Sequence, residues 1–260
     1  MFINPTNYLQ TPLKIISLVP SITELLYDLG LQNEIIGITK FCIHPEVLLH
    51  TKEKIGGTKN INIKKVVHLV PDLIIANIEE NIKEQIEELA GHFSVYLSDV
   101  NDYKSAMQMI VDIGLITKKK IEAENIFNRI EKAFETEKMT AKKPINVAYL
   151  IWKDPYMTVG GNTFISDMIE KMGLKNIYKN DKRYPQITLE ELQKKEPDVI
   201  LLSTEPYPFK EKHVAELKNY FPTTIILLAD GELFSWYGSR MVLMAPYFKT
   251  LLLDIEKALA

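Results

Sequence analysis

Short, almost wholly apolar runs alternate along the chain with stretches whose apolar residues recur every three or four positions. Residues 15–19, 35–38, 73–76 and 95–97 are rich in isoleucine, valine and leucine and bounded by turn residues, which predicts buried strands. Helical patterns fill the intervals, and that alternation implies a mainly parallel sheet flanked by helices. Residues 103–114 and 118–139 are predicted helices. In the second of these Ala123, Ile126, Phe127, Ile130, Ala133 and Phe134 line one face, while Lys118, Lys119, Lys120, Glu124, Arg129 and Glu131 crowd the other. A helix of about 20 residues is roughly 30 Å long, enough to act as a strut between two domains. Strands resume at 145–151, 199–203 and 225–229, with helices at 163–172 and 189–195. A final helical region covers 239–259, which Pro246 is expected to bend or split.

The two halves echo each other. The helical pattern 63–69 leads into Pro71-Asp72-Leu73, and the pattern 189–195 leads into Pro197-Asp198-Val199; Gly30-Leu31 is matched by Gly173-Leu174. Proline stops a helix, aspartate suits the turn, and the apolar run then enters the sheet. The fold class expected is therefore α/β, in two lobes with mainly parallel sheets. The boundaries expected are an N-terminal lobe at 1–116, a connecting helix at 117–142 and a C-terminal lobe at 143–260.

Composition narrows the function. With 260 residues, 46% of them hydrophobic, the chain buries a sizeable core, and a net charge of −3 provides no global field for nucleic acid or an anionic membrane. The single cysteine, Cys42, excludes an intramolecular disulfide. The opening residues Met1-Phe2-Ile3-Asn4-Pro5 do not read as an export signal, and no apolar run reaches the roughly 20 residues of a membrane helix. The expectation is a cytoplasmic protein as written, or a periplasmic one if a leader has been removed.

Enzyme signatures are sparse. There is no phosphate loop, no dinucleotide fingerprint, no His-Glu-x-x-His and no Gly-x-Ser-x-Gly; the paired glycines Gly56-Gly57 and Gly160-Gly161 read as tight turns. Cys42 and His44 form a Cys-x-His pair that would reach a metal only with a third ligand, and against it stands Cys42 as a small buried hydrophobe. His68 reads as a core or half-buried histidine, and His213 has no partner in the sequence. Aromatic residues beside turns are the more informative signal: Trp152 near Asp154-Pro155, Tyr184-Pro185, Tyr207 and Phe209 around Pro208, and Trp236-Tyr237 before Gly238. Most follow predicted strands, where open α/β sheets place their ligands. Lys59, Glu205, Asp230 and Arg240 are the polar anchors available in such loops, each otherwise a surface ion pair. Ser21 with Glu24 and Thr188 with Glu191 fit the capping box, so each helix would start just after a loop.

Taken together, 15–25 (Ile-Ile-Ser-Leu-Val-Pro-Ser-Ile-Thr-Glu-Leu), the Gly30-Leu31 turn, Pro71 to Ala76, the long helix and 185–190 (Pro-Gln-Ile-Thr-Leu-Glu) resemble the class III substrate-binding proteins of ABC importers, nearest to the cobalamin-binding branch. The resemblance implies two lobes joined by one long backbone helix, with the ligand in a cleft between them. That ligand would be a corrinoid, haem-like or chelated-metal compound rather than an intrinsic cofactor. It places Phe41, His44 and Lys59 at the ligand from the first lobe, Trp152 and Tyr184 opposite them, and Asp230, Trp236, Tyr237 and Arg240 along a rim; Pro20, Ser21 and Glu205 are further ligand-binding candidates. Glu190 matches a family glutamate that docks on the transporter's membrane subunits, whereas Lys64 stands where the other docking glutamate is expected. The expectation is a monomeric binding protein that takes up a small-molecule ligand, binds no nucleic acid and is not an enzyme. The alternatives are a cytoplasmic ligand sensor or carrier on the same fold, and a metal-dependent enzyme using Cys42, His44 and Glu205.

Overall fold

The structure, a computed structural model, describes residues 1–137 and 139–260. After a short turn of helix at Pro5–Asn7 come β1 (Ile15–Ser17), α1 (Pro20–Asp28), β2 (Ile35–Ile38), α2 (Glu46–Thr51), β3 (Glu53–Lys54) and β4 (Gly56–Gly57). Then follow β5 (Asn60–Ile61), α3 (Ile63–Leu69), β6 (Leu73–Asn77), α4 (Lys83–Ala90), β7 (Val95–Ser98), α5 (Tyr103–Ile116) and α6 (Lys120–Thr136). The remainder is β8 (Asn146–Trp152), β9 (Met157–Thr158), α7 (Phe164–Lys171), β10 (Lys175–Asn176), α8 (Leu189–Lys194) and β11 (Val199–Ser203), then α9 (Glu211–Lys218), β12 (Ile225–Ala229), α10 (Glu232–Ser235) and α11 (Met241–Ala258).

The chain divides into two compact units. The first comprises Met1–Val100, Lys104–Lys132 and Trp236–Val242; the second comprises Asn101–Tyr103, Ala133–Ser235 and Leu243–Ala260. The division thus falls inside α6, and the segment 236–242, which the expected boundaries put in the C-terminal lobe, belongs with the first unit. That assignment has a physical basis. Gly238 has φ +114°, and a β-carbon there would lie 3.3 Å from the Ser21 carbonyl oxygen, so only glycine lets this segment lie so close to α1.

In the first unit the strands run parallel in the order β3-β2-β1-β6-β7, with β4 and β5 forming a separate antiparallel pair. Ile16, Ile74 and Ala76 from the sheet, and Leu18 just after β1, pack with Val66, Ile86 and Leu89 from its helices. In the second unit β10-β8-β11-β12 are parallel, and β9 adds antiparallel to β8. Ala148, Leu150, Ile200 and Leu202 pack there with Leu192, Leu217 and Phe221. The repeated Pro-Asp does the same work twice. Asp72 Oδ2 accepts from the amides of Leu13 and Lys14 at the start of β1, and Asp198 Oδ2 accepts from the Asn146 amide at the start of β8. In both sheets the strand order reverses once, between β1 and β6 and between β8 and β11. Such a reversal opens a crevice beyond the carboxyl ends of the two strands, where open α/β sheets hold ligands.

Several expectations need correction. β1 stops at Ser17 rather than residue 19, because Val19 is the N-cap of α1 and Pro20 fills its first helical position. The capping box Ser21–Glu24 is absent: no side chain caps α1, and the Glu24 carboxylate is engaged elsewhere. The box at Thr188–Glu191 is present, with reciprocal bonds of 3.1 and 2.9 Å. The predicted helix 118–139 is shorter, since Lys118 has φ +61° and breaks from α5, and α6 ends at Thr136; residue 138 lies outside the described residues. Pro246 does not split α11, whose Met244, Ala245, Phe248 and Leu252 are buried, packing that outweighs a proline cost of about 3 kcal/mol. Gly56-Gly57 forms β4 rather than a turn, and His68 is exposed. Among the described residues no helix is long and apolar enough to cross a membrane.

Candidate functional site

The second unit's switch point is aromatic. Trp152 ends β8 with 40% of its surface exposed, and its ring meets Tyr207, in the loop after β11, edge-on at 5.7 Å. Tyr207 lies 4.7 Å from Phe209, and both rings contact the buried His213 on α9, at 5.5 and 5.4 Å. The result is a continuous run of rings from the core to an exposed indole. His213 Nδ1 accepts from the Lys210 amide at 2.9 Å, taking the place that Glu or Gln holds in a capping box, and its Nε2 is 3.4 Å from Tyr207 Oη. Burial pushes this imidazole below its ordinary value, and Lys212 and Lys153 act in the same direction. Lys153 Nζ is itself paired with Glu216 at 2.6 Å. Tyr149, on β8 three residues before Trp152, is wholly buried, with its hydroxyl on Ser203 Oγ at 3.0 Å.

Other predicted residues of this unit occupy neighbouring loops. Glu205 follows β11 and its Oε1 accepts from Ser235 Oγ at 3.1 Å. Asp230 follows β12; its Oδ1 accepts from the Leu233 amide at 3.2 Å and its own amide donates to Tyr247 Oη at 2.8 Å. Tyr184 is half-buried in a segment paired with β9 through Thr158 N–H to the Pro185 carbonyl, 3.1 Å. Glu190 is exposed in the first turn of α8.

The first unit's switch point is made of amides. Asn81 Nδ2 donates to the carbonyls of Leu18 and Thr58, 3.2 and 3.1 Å away, while its Oδ1 accepts from the Asn77 amide at 2.9 Å. One buried side chain thereby ties the loop after β6 to the loop after β1 and to the β4–β5 pair. Asn77 Oδ1 in turn accepts from the amides of Glu79 and Glu80. Lys59 donates to the Glu79 carbonyl. Burial raises the Glu80 carboxyl above its ordinary value, with Lys59 opposing the shift. Pro20 and the buried Ser21 open α1 at the same end of the sheet.

Beside it, segment 236–242 and the loop after β2 come together. The rings of His44 and Trp236 meet edge-on at 5.4 Å, and the Arg240 guanidinium lies 5.0 Å from the Trp236 ring. Arg240 also grips Glu24 with two bonds of 2.8 Å, which answers where that carboxylate went. Trp236 and Tyr237 are buried at 7% and 4% exposure, so truncating Trp236 would empty a packed site as well as any contact surface. Phe41 is half-exposed, with the Lys40 ammonium 5.0 Å from its ring. The Cys42 thiol is buried and contacts Thr23 Oγ1 at 3.1 Å and Thr39 Oγ1 at 3.2 Å, and burial pushes its pKa up. That is the environment of a packed thiol, and among the described residues no three His, Cys, Asp or Glu side chains are grouped to hold a metal ion. Lys64 is exposed on α3.

The structure thus gathers His44, Trp236 and Arg240 in one place, and Trp152 with Tyr207 in another. Four participants escaped sequence reasoning. Asn81 and Glu80 follow a strand directly, a position that could have marked them. Glu24 was assigned to a cap, and His213 three residues after Lys210 is a capping-box spacing with an unusual residue.

Residues 15–221 match the family described as periplasmic binding protein. A vitamin B12-binding protein of Vibrio campbellii is 25% identical over 213 residues, covering 80% of this chain and 77% of that protein. An uncharacterized ABC transporter substrate-binding lipoprotein of Bacillus subtilis is 29% identical over 201 residues, 73% of this chain and 63% of its own length. Among solved structures, a periplasmic heme-binding protein from Roseiflexus sp. RS-1 shares the fold with TM-score 0.80 at 19% identity, covering 95% of this chain and 99% of that one. These relatives are solute-binding proteins, not enzymes. They give no support to a cytoplasmic location, nor do they favour the sensor and metalloenzyme alternatives.

Proposed function

Because the chain belongs to the periplasmic binding protein family and is a solute-binding protein, we propose that its solute is a large, flat, partly apolar metal chelate, a corrinoid or a haem, delivered to an ABC importer. The observation that carries this reading is the exposed Trp152 indole seated on Tyr207 at the carboxyl-end switch point of the second unit. What sets this indole apart from other exposed apolar side chains is its place at the carboxyl end of β8, where open α/β sheets hold their ligands. Covering the exposed two fifths of the indole is worth about 2 kcal/mol at ~25 cal/mol per Å², and about 1.4 kcal/mol is already tenfold in affinity. Relatives named for vitamin B12 and for heme support both macrocycles as ligands.

In this reading Tyr184, Glu205 and Asp230, in loops of the same unit, supply polar groups that suit a ligand's hydroxyl and amide substituents. The first unit contributes polar contacts through Ser21 and Lys59 at its own switch point, and Phe41 and His44 offer ring faces beside it. Pro20 sets the start of α1, and Trp236, backed by Arg240, holds the His44 ring, with Tyr237 buried next to it in sequence. Glu190, exposed on α8, is the contact for a transporter membrane subunit, and the protein works outside the cytoplasm as a monomer. Lys64 asks for an acidic partner residue where family members present a glutamate.

Titration of the purified protein with cyanocobalamin and with haemin, followed by tryptophan fluorescence and calorimetry, tests the proposal. Trp152→Ala is expected to weaken the preferred ligand roughly tenfold with an unchanged melting temperature. Identical curves for Trp152→Ala and the parent protein would remove the aromatic site, and failure of both macrocycles to bind would remove the ligand class.

A further inference from the structure

The run of rings beneath Trp152 ends on a histidine whose tautomer is set by geometry. A backbone N–H only donates, so the 2.9 Å contact from the Lys210 amide makes His213 Nδ1 an acceptor. The neutral ring therefore carries its proton on Nε2, which lies 3.4 Å from Tyr207 Oη and donates to it. The phenol's own proton is then directed away from His213. A protonated imidazole would carry hydrogens on both nitrogens, with Nδ1–H facing Lys210 N–H. Nε2–H could still donate to Tyr207, but the cap of α9 would be lost and the repelled ring would shift from its place under Tyr207.

The surroundings disfavour that second proton. Among the described residues, Lys212 on α9 and Lys153 from the turn after β8 are the cations that act on the ring, and Glu216 on α9 is the carboxylate that does. That carboxylate is held by Lys153 at 2.6 Å, so its attraction for a protonated imidazole is largely spent. Tyr207 contacts the ring, and Asp154 and Tyr156 complete the group around Lys153. Phe209 closes the apolar side at 5.4 Å.

We infer that His213 is a positioning residue: neutral, it holds Tyr207 as a hydrogen-bond donor beside Trp152, and protonated, it releases that face, so that the protein keeps its solute at neutral pH and lets it go in acid. The inference rests on the reading that Trp152 contacts the solute. The experiment has two arms that fail separately.

Without ligand, Trp236→Phe leaves Trp152 as the only tryptophan, and its emission is followed from about pH 8 to about pH 4.5. A sigmoidal change with its midpoint below 6.5, the ordinary histidine value, is expected. It should vanish in His213→Gln, whose amide oxygen can accept from Lys210 and whose NH2 can donate to Tyr207 at any pH. Long-range proton–nitrogen spectra should place the ring proton on Nε2 at neutral pH. If Trp236→Phe fails to fold, fluorine spectra of 5-fluorotryptophan protein read Trp152 in the full chain.

With ligand, cyanocobalamin and haemin affinities at about pH 7.5 and about pH 5 should differ roughly threefold or more for the parent and stay level for His213→Gln. A pH response that survives His213→Gln, or an Nδ1–H tautomer, overturns the inference. An intact ligand-free transition combined with Trp152→Ala binding as well as the parent overturns the ligand reading alone and leaves the positioning by His213 standing.

Discussion

The two units reverse their strand order in the same way, yet fill the resulting place with opposite chemistry. At the β1–β6 switch point a buried amide, Asn81, ties three backbone segments together, and the residues around it are polar. At the β8–β11 switch point rings lean on rings until the last one, Trp152, reaches the surface. Hydrogen bonds hold the first because its loops must pair backbone groups that the sheet has left open. Ring contacts build the second, where the loop backbone is already satisfied by Ala229, Ile151 and, through the Lys210 amide, His213. Topology therefore decides where a solute is met, and side chains decide how rigid and how apolar that place is.

The comparison breaks most easily at Asn81. Asn81→Leu would leave two carbonyls and the Asn77 amide buried without partners, each costing about 1–3 kcal/mol, so a net loss of about 3 kcal/mol in urea unfolding is expected. Tyr207→Phe in the other unit removes one long, half-exposed bond and should cost less than about 1 kcal/mol. Equal losses would mean that both places are built alike.

A smaller effect sharpens the description of the first unit. Glu24 and Arg240 have side-chain exposures of 18% and 13% and meet through two bonds, geometry in which a charge-assisted pair couples by about 2 kcal/mol. A double-mutant cycle with Glu24→Gln and Arg240→Met, read by denaturation, should return that coupling. A value near zero would make the pair a surface contact and leave Trp236 to hold segment 236–242 by packing alone.

Much of this architecture was legible from the pattern of residues. Runs such as 199–203 and 225–229 are too apolar and too β-branched to be anything but strands, the first central and the second at the sheet's edge, and Pro-Asp before a strand announced both sheet entrances. Less was legible at the sites, for reasons of range. Ser21-x-x-Glu24 satisfies a local rule, but a guanidinium 216 positions away outbids the helix end for that carboxylate. Trp152 and Trp236 look alike in sequence, each aromatic beside a polar turn, and one is exposed while the other is buried. Exposure depends on what returns to cover a ring, and periodicity carries no information about that. Tyr207 and His213 were visible singly; their bond depends on where α9 begins.

The smallest effect separates the two switch points by the sign of their pH dependence. Glu80 has a folded value raised by burial above 4.5, so the folded state binds a proton more readily than the unfolded chain. Its contribution is whole below 4.5 and is lost as pH rises through the raised value. His213 is shifted downward from 6.5, so the unfolded chain binds the proton first; its contribution is whole above 6.5 and is lost as pH falls toward the lowered value. Glu80→Gln should therefore gain on the parent as pH rises, and the gap should close in acid. His213→Gln should run parallel to the parent at neutral pH and gain on it only below 6.5. Urea midpoints for the three proteins across about pH 4 to about pH 8 measure both slopes. Two slopes of one sign would mean that one of these groups is solvated in the folded protein, and the contrast between an amide-built and a ring-built switch point would lose its electrostatic half.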